Sequence, residues 1–356
     1  MKVALLVPLP PPMGGIGTWA LRLKEVMPKE CEVVFVDEGL IGGREFFGEN
    51  SKKNLFDEVK RCLRIWRDLK RTLKDPDVTV VHSNIPAVPG GMLRELVCAH
   101  IAHSRKRKFV IHYHSTVSSS VSSRLSEFLL RRLSDAADEI IVLNEKSREF
   151  VAARSKTPIR LIPNFVSGSE LDEHITVRSA ITNALYVGGV CEEKGIYDYL
   201  NIARRFPDIT FTAIGKIEEG VTAAAPSNVV LTGPQSHDAV HAALMNTDVF
   251  FFLSHYVHEG FSVALTEAMA AGLPCVVTDW AANKDMIGSE GGVVVNVGDT
   301  DAAAAGLERM RPMQVREAMS RRNIEAVRSA YSQDKVIPQY LAVYRDVLEG
   351  GIGPRR

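Results

Sequence analysis

Residues 184–203 read Ala-Leu-Tyr-Val-Gly-Gly-Val-Cys-Glu-Glu-Lys-Gly-Ile-Tyr-Asp-Tyr-Leu-Asn-Ile-Ala: an apolar strand, a glycine-containing turn, then a helix. The same succession opens the chain, where residues 5–23 read LLVPLPPPMGGIGTWALRL. Two such openings predict an α/β protein of two doubly wound domains in tandem, each with binding positions at the carboxyl ends of its strands. Between and after them, apolar runs alternate with helical patterns: KVALLVP, CEVVFVD, VTVVHS, KFVIHYH and EIIVLN, then NALYVGG, ITFTAIG, NVVLTG, VFFFLS and PCVVTD. Continuous apolar strands of this kind are buried on both faces, as in parallel sheets covered by helices. The strand-like IRLIP gives way near Pro163–Val166 to the polar SGSELDEH, so the expected domains are residues 1–166 and 167–335, with a last helical segment in 336–356.

A chain of 356 residues, 46% of them apolar, is long enough for two cores. Its formal charge is zero, yet residues 1–168 hold 27 Lys+Arg against 19 Asp+Glu and the remainder 16 against 24. A basic half of this kind meets something acidic, such as a phosphorylated substrate, nucleic acid or an anionic membrane; solvated surface helices explain it equally well. Cys31, Cys62, Cys98, Cys191 and Cys275 have neither metal-site spacing nor an even count, which fits a reducing cytoplasm. The opening MKVALLVPLPPP is broken by proline before any cleavage-like site and reads as a buried strand. No apolar run approaches the roughly 20 residues of a transmembrane helix, so any membrane contact is peripheral.

The stretch richest in chemistry runs from Ser254 to Pro274, SHYVHEGFSVALTEAMAAGLP. Glu259 and Glu267 stand eight residues apart, the first just before an expected helix start and the second about two turns inside it. Gly260 allows a tight turn, Ser262 can cap, and free amides of the first helical turn suit a phosphate. In that arrangement Glu259, at the mouth, can accept hydrogen bonds from hydroxyls such as those of a sugar, and Glu267 can project toward a diol such as that of a ribose beside the phosphate.

This segment resembles the Glu-x7-Glu signature of retaining GT-B glycosyltransferases, the large family 4-like group also described as glycosyl transferases group 1. The resemblance extends over nearly the whole chain. Gly14-Gly15-Ile16-Gly17 is similar to the family's N-terminal glycine loop, His114 in VIHYHST to its active-site histidine, and ADEIIVLNE to its fifth-strand region. IPNFV at 162–166 matches the linker IPNGV except for Phe165, YVGGVCEEKG at 186–195 the phosphate-binding turn, and NVVLTGPQSHDAV the segment around the base. The resemblance implies two Rossmann-like domains facing across a cleft, the N-terminal one binding acceptor and the C-terminal one the nucleotide-sugar donor, with the last helix packing back on the first domain.

It also implies site residues. His114, Glu259 and Lys194 are the expected catalytic group; Gly15, Gly17, Gly188, Lys194, Gly215, Gly233, Pro234, Gln235, Gly260, Phe261, Ser262, Val263 and Glu267 are expected to bind donor. Lys194 would neutralise the diphosphate leaving group. Where the family generally carries an arginine this chain has Gly189, so either another base such as Lys216 substitutes or diphosphate binding is weaker. His112 and His82 rival His114; His112, deeper in its strand, reads as a satisfied core residue, and His82 as a strand-terminal one. No metal site and no cofactor are expected, the nucleotide-diphosphate sugar being a co-substrate with UDP or GDP left open.

The implied partners are that donor and a glycan or lipid-linked acceptor. The basic stretch 58–74, with seven basic residues against two acidic, suits an anionic membrane surface or ordinary solvent exposure. No groove-reading or stacking motif points to nucleic acid. Two rival functions remain open: a sugar-nucleotide epimerase of the same fold, and, because of Gly189, a non-catalytic sugar-nucleotide-binding subunit.

Overall fold

The computed structural model describes residues 1–10, 14–41, 55–171 and 177–350. Part of the SGSELDEH stretch and Pro11–Met13 before the glycine loop lie outside the described residues. The chain divides into two compact units, Met1–Pro163 with Val336–Arg356, and Asn164–Lys335.

In the first unit six strands, β1 Lys2–Val7, β2 Glu32–Asp37, β3 Val78–Ile85, β4 Lys108–Tyr113, β5 Glu139–Val142 and β6 Ile159–Leu161, form one parallel sheet in the order β2-β1-β3-β4-β5-β6. The sheet is parallel because helices follow the strands and must return the chain to the starting edge. Val3–Val7 and Phe109–Ile111 are fully buried, as sequences without alternation require. The order reverses between β1 and β3, where an open α/β sheet leaves a crevice.

Helix Gln333–Glu349 covers part of this unit through Tyr340 and Tyr344. Tyr344 Oη lies 2.7 Å from His82 Nδ1, and the Tyr340 ring is 5.8 Å from that of Trp19. A buried charge network ties neighbouring elements: Arg94 reaches Glu38 at 2.9 Å and Glu95 at 2.7 Å, Ser83 donates to Glu95 at 2.7 Å, and Arg61 donates to the Glu38 carbonyl. Burial pushes the Glu38 carboxyl well above the ordinary carboxylate range, against the opposing pull of Arg94.

The second unit repeats the plan with β7 Asn183–Val187, β8 Thr210–Ile214, β9 Val229–Gly233, β10 Val249–Phe252, β11 Cys275–Thr278 and β12 Gly292–Val295, ordered β12-β11-β10-β7-β8-β9 and again parallel. Its reversal falls between β7 and β10. Those are the strands that lead into the 188–195 turn and the 254–274 segment. The core under them is aromatic, with Tyr186, Tyr199, Phe211 and Phe251 packed at 5.2–6.0 Å.

Candidate active site

At the end of β7 the chain turns through Gly188 and Gly189 into a short 3-10 turn, Glu192–Lys194, and then helix Ile196–Arg205. Two glycines make this path possible. Gly215, at φ +150°, brings β8's end against the Gly188 carbonyl so closely that a Cβ would sit 1.7 Å from the oxygen. Gly195, left-handed at φ +78°, lies against Leu253, whose carbonyl oxygen would be 2.2 Å from a Cβ. That second approach docks the turn on the end of β10, and His255 N–H seals it by donating to the Glu193 carbonyl at 3.0 Å.

The docking carries Lys194 to Glu259: Nζ lies 2.5 Å from Oε2. Ser254 Oγ donates to the same carboxylate oxygen at 3.3 Å, and the ammonium stands 4.7 Å above the Tyr256 ring. Trp280 Nε1 donates to the Tyr256 carbonyl at 2.8 Å, fixing the loop that presents both groups. Glu259 N–H closes a turn onto the Tyr256 carbonyl, and Gly260 and Phe261 then bend the chain into helix Val263–Ala270.

Ser262 caps that helix by accepting from Leu265 N–H, and Thr266 N–H takes the Ser262 carbonyl. The Val263 and Ala264 amides therefore have no intrahelical partner and point outward at the positive end of the helix dipole. The Phe261 side chain is buried against Tyr331 and its carbonyl is held by Asn164 Nδ2 at 2.8 Å, so Phe261 has only its backbone to give a ligand. Asn164 and Phe165 belong to the linker; the Phe165 ring is itself buried.

Glu267 belongs to a second cluster. His237, first residue of helix His237–Met245, places Nε2 3.0 Å from Glu170 Oε1 and 3.8 Å from Glu267 Oε1. Hydrogen bonding to Glu267, with the charges of both carboxylates, raises the imidazole to about 9. The ligand atoms of Glu170, His237 and Glu267 lie within 4.8 Å of one another, close enough in principle for a metal ion. With its pKa raised in this way, the ring pairs with both carboxylates. Gly233, Pro234 and Gln235 immediately precede this helix; Gly233 is left-handed at φ +73°, and Gln235 folds back to donate to the Thr232 carbonyl at 3.0 Å. Lys216 lies just past β8, its carbonyl accepting from Val190 N–H at 2.8 Å.

In the first unit, helix Gly15–Val26 begins inside the expected loop, so Gly15 and Gly17 occupy its first turn instead of preceding it. Its N-cap, Gly14, has no side chain to satisfy the first amides. His114, one residue beyond β4, is buried and places Nε2 3.0 Å from Asn84 Oδ1. Burial, with His82 nearby, lowers its pKa to about 3.

Two expectations about its rivals need correction. His82 lies within β3, not at its end, because Ser83, Asn84 and Ile85 continue the pairing with β4. His112 is not a satisfied core histidine: both ring nitrogens are buried with no hydrogen-bond partner among the described residues, its ring 3.9 Å from that of His114.

The second unit thus gathers Gly188, Lys194, Gly215, Glu259, Gly260 and the amides after Ser262 at one switch point, with Glu267 and the Gly233–Gln235 segment joined through His237. Sequence reading assigned no role to Ser254, Tyr256, Asn164, Glu170 or His237. Only the last has a visible signal, a histidine directly after a Ser cap.

Two Rossmann-like units with these loops at their strand ends define the GT-B class of architecture. The family described as Glycosyltransferase Family 4 matches residues 13–169, and that described as Glycosyl transferases group 1 matches residues 182–326. The chain is 22% identical to N-acetyl-alpha-D-glucosaminyl L-malate synthase of Bacillus anthracis, over 98% of each. It is 24% identical to phosphatidyl-myo-inositol mannosyltransferase of Mycolicibacterium smegmatis, over 95% of this chain and 92% of the relative. Anabaena HepE in complex with UDP-glucose has the same fold, with a TM-score of 0.74 at 13% identity, covering 97% of this chain and all of that one. The protein belongs to the GT-B glycosyltransferases of family 4 type and is a glycosyltransferase.

Proposed function

We propose that the protein transfers a sugar, with retention of anomeric configuration, from a nucleotide-diphosphate sugar to a glycan, glycolipid or small-molecule acceptor, in cytoplasmic polysaccharide or glycolipid biosynthesis. One observation carries this reading: a lysine–glutamate pair near two helix amides that have no intrahelical partner, at the switch point of the second sheet. Lys194 and the Val263 and Ala264 amides stabilise the departing diphosphate, Glu259 holds the sugar hydroxyls, Glu267 the ribose and the Gly233–Gln235 segment the base. His114 hydrogen-bonds a hydroxyl of the sugar.

The acceptor hydroxyl attacks the anomeric carbon on the face from which phosphate departs. As the carbon–oxygen bond to phosphate breaks, its electron pair stays on the phosphate oxygen, which takes the acceptor's proton. The protein supplies orientation and charge stabilisation, and no nucleophile. HepE with UDP-glucose supports a nucleotide-sugar donor, and the names of the curated relatives a lipid or small hydroxyl acceptor.

Leu55, Phe56, Val59 and Leu63 are exposed on helix Leu55–Thr72 beside Lys60, Arg67 and Arg71, which supports peripheral docking on anionic lipid. No helix among the described residues is long and apolar enough to cross a membrane.

A melting panel with UDP-, GDP- and ADP-sugars identifies the donor, because a ligand of the folded state raises Tm. Turnover that requires an added acceptor, with the product's anomeric configuration read by NMR, then tests the reaction. An inverted product, or isomerised sugar formed without acceptor, overturns the proposal.

A further inference from the structure

We propose that Asn84 fixes the tautomer of His114, so that the ring carries its proton on Nε2 and presents Nδ1 to the substrate as a hydrogen-bond acceptor. The second half rests on the reading of His114 as a sugar contact. The carboxamide of Asn84 decides the first. Its Nδ2 lies 3.1 Å from the Leu6 carbonyl oxygen and 3.2 Å from that of His82. Carbonyl oxygens only accept, so the amide nitrogen faces them and Oδ1 faces His114 Nε2 at 3.0 Å. Oδ1 in turn only accepts, so Nε2 holds a hydrogen. Flipping the amide would set oxygen against two carbonyls.

Asn84 is well placed to impose this choice. It lies in β3, between β1, which supplies Leu6, and β4, which His114 follows; it is buried, and its two carbonyl partners belong to the sheet itself. His114 is neutral, since burial holds its pKa near 3, and a neutral imidazole has one proton to place. With Nε2 occupied, Nδ1 keeps its lone pair. It has no hydrogen-bond partner among the described residues, and unlike the ring nitrogens of His112 it is not a sealed orphan. The group it meets must therefore donate: a sugar hydroxyl fits, whereas fluorine or an ether oxygen at that position does not.

The tautomer is read directly by long-range proton–nitrogen NMR on the full chain labelled with histidine-15N, His114 being assigned from the signal lost in a variant. Wild type should show the proton on Nε2, and Asn84→Leu a mixture of both tautomers. Turnover of the donor chosen in the melting panel tests the consequence. His114→Asn keeps an oxygen near the place of Nδ1, whereas His114→Gln reaches only the place of Nε2. The Gln variant should fall about tenfold below the Asn variant, the worth of one hydrogen bond in the site.

A proton on Nδ1 in wild type, or a Gln variant as active as Asn when His114→Ala has lost turnover, overturns the inference. Full turnover by His114→Ala would instead remove the sugar contact and Nδ1's role in it, with the tautomer result still standing, so the two failures are distinguishable.

Discussion

Lys194 Nζ lies 2.5 Å from Glu259 Oε2 across 65 residues of sequence, joined because Gly195 lets the turn after β7 seat on the end of β10. The pair is shielded by Tyr256 and Ser254, so each partner is oriented before any ligand arrives. Removing either partner should spare the fold and cost turnover. Lys194→Ala and Glu259→Gln are each expected to lose roughly 10²- to 10³-fold in kcat, the range for one preorganised electrostatic group. Circular dichroism and kinetics on both variants check this; wild-type kcat in both would refute the site assignment.

Gly189 leaves space that a longer side chain can use. A Cβ there would be 3.6 Å from Cys191 Sγ and 3.9 Å from Lys194 Cγ, ordinary contact distances. Gly189→Arg should therefore fold normally and add a charge-assisted contact to a diphosphate, tightening nucleotide binding by about tenfold or more. Calorimetry with UDP and GDP is the measurement. No gain for either nucleotide would show that the arginine of related proteins has no counterpart function at this position.

His237 makes the second unit sensitive to alkaline pH. Its pKa is raised to about 9 from an ordinary 6.5, so its stabilising pairing with Glu267 and Glu170 is complete below about 6.5 and is lost as pH rises through 9. The ring is half exposed, which keeps the effect small. The Tm advantage of wild type over His237→Gln should shrink steadily between about pH 6.5 and 9. A constant difference across that window would contradict the pairing.

Arg94 pairs with two buried acids, Glu38 and Glu95. Arg94→Met should destabilise the first unit by about 3–5 kcal/mol, because it leaves those acids buried and uncompensated. Urea unfolding followed by the fluorescence of Trp19 and Trp66 reports it. A loss below about 1 kcal/mol would mean that the network is already partly protonated.

Helix Leu55–Thr72 gives a surface prediction. Leu63→Glu with Phe56→Glu should abolish flotation with anionic liposomes at low salt while leaving Tm unchanged, since both side chains are exposed. Equal flotation of this variant and wild type would discard lipid docking through that face.

Much of the architecture was legible because parallel strands buried on both faces cannot hide their apolar runs: the ten runs read from sequence fall on β1 to β5 and β7 to β11, and IRLIP on β6. β12 went unread, since Gly292 opens it and only three valines follow; the glycine is there because a Cβ would meet the Cys275 carbonyl oxygen at 2.0 Å. Within the site, Glu259 and Ser262 were legible from local chemistry and cap, and Lys194 only through the family resemblance, since alone it reads as a solvated lysine. Glu170 and His237 were not, because a triad drawn from a 3-10 turn and two helices has no sequence spacing. The same is true of Asn84, whose meaning depends on which carbonyls flank it in the sheet. His82 and His112 were misjudged because a histidine's depth in a strand depends on where pairing stops, and pairing is a property of the neighbouring strand.

The residues that complete the first unit, Tyr340 and Tyr344 over Trp19 and His82, are synthesised only after the entire second unit. The portion of the protein made first is therefore finished last. On the ribosome Trp19 has its three histidine neighbours but lacks Tyr340 until Asn164–Lys335 has been made. A chain stopped at Lys335 should leave the later-made unit the sturdier of the two, and nascent chains held at that length are where helper proteins would find something to grip.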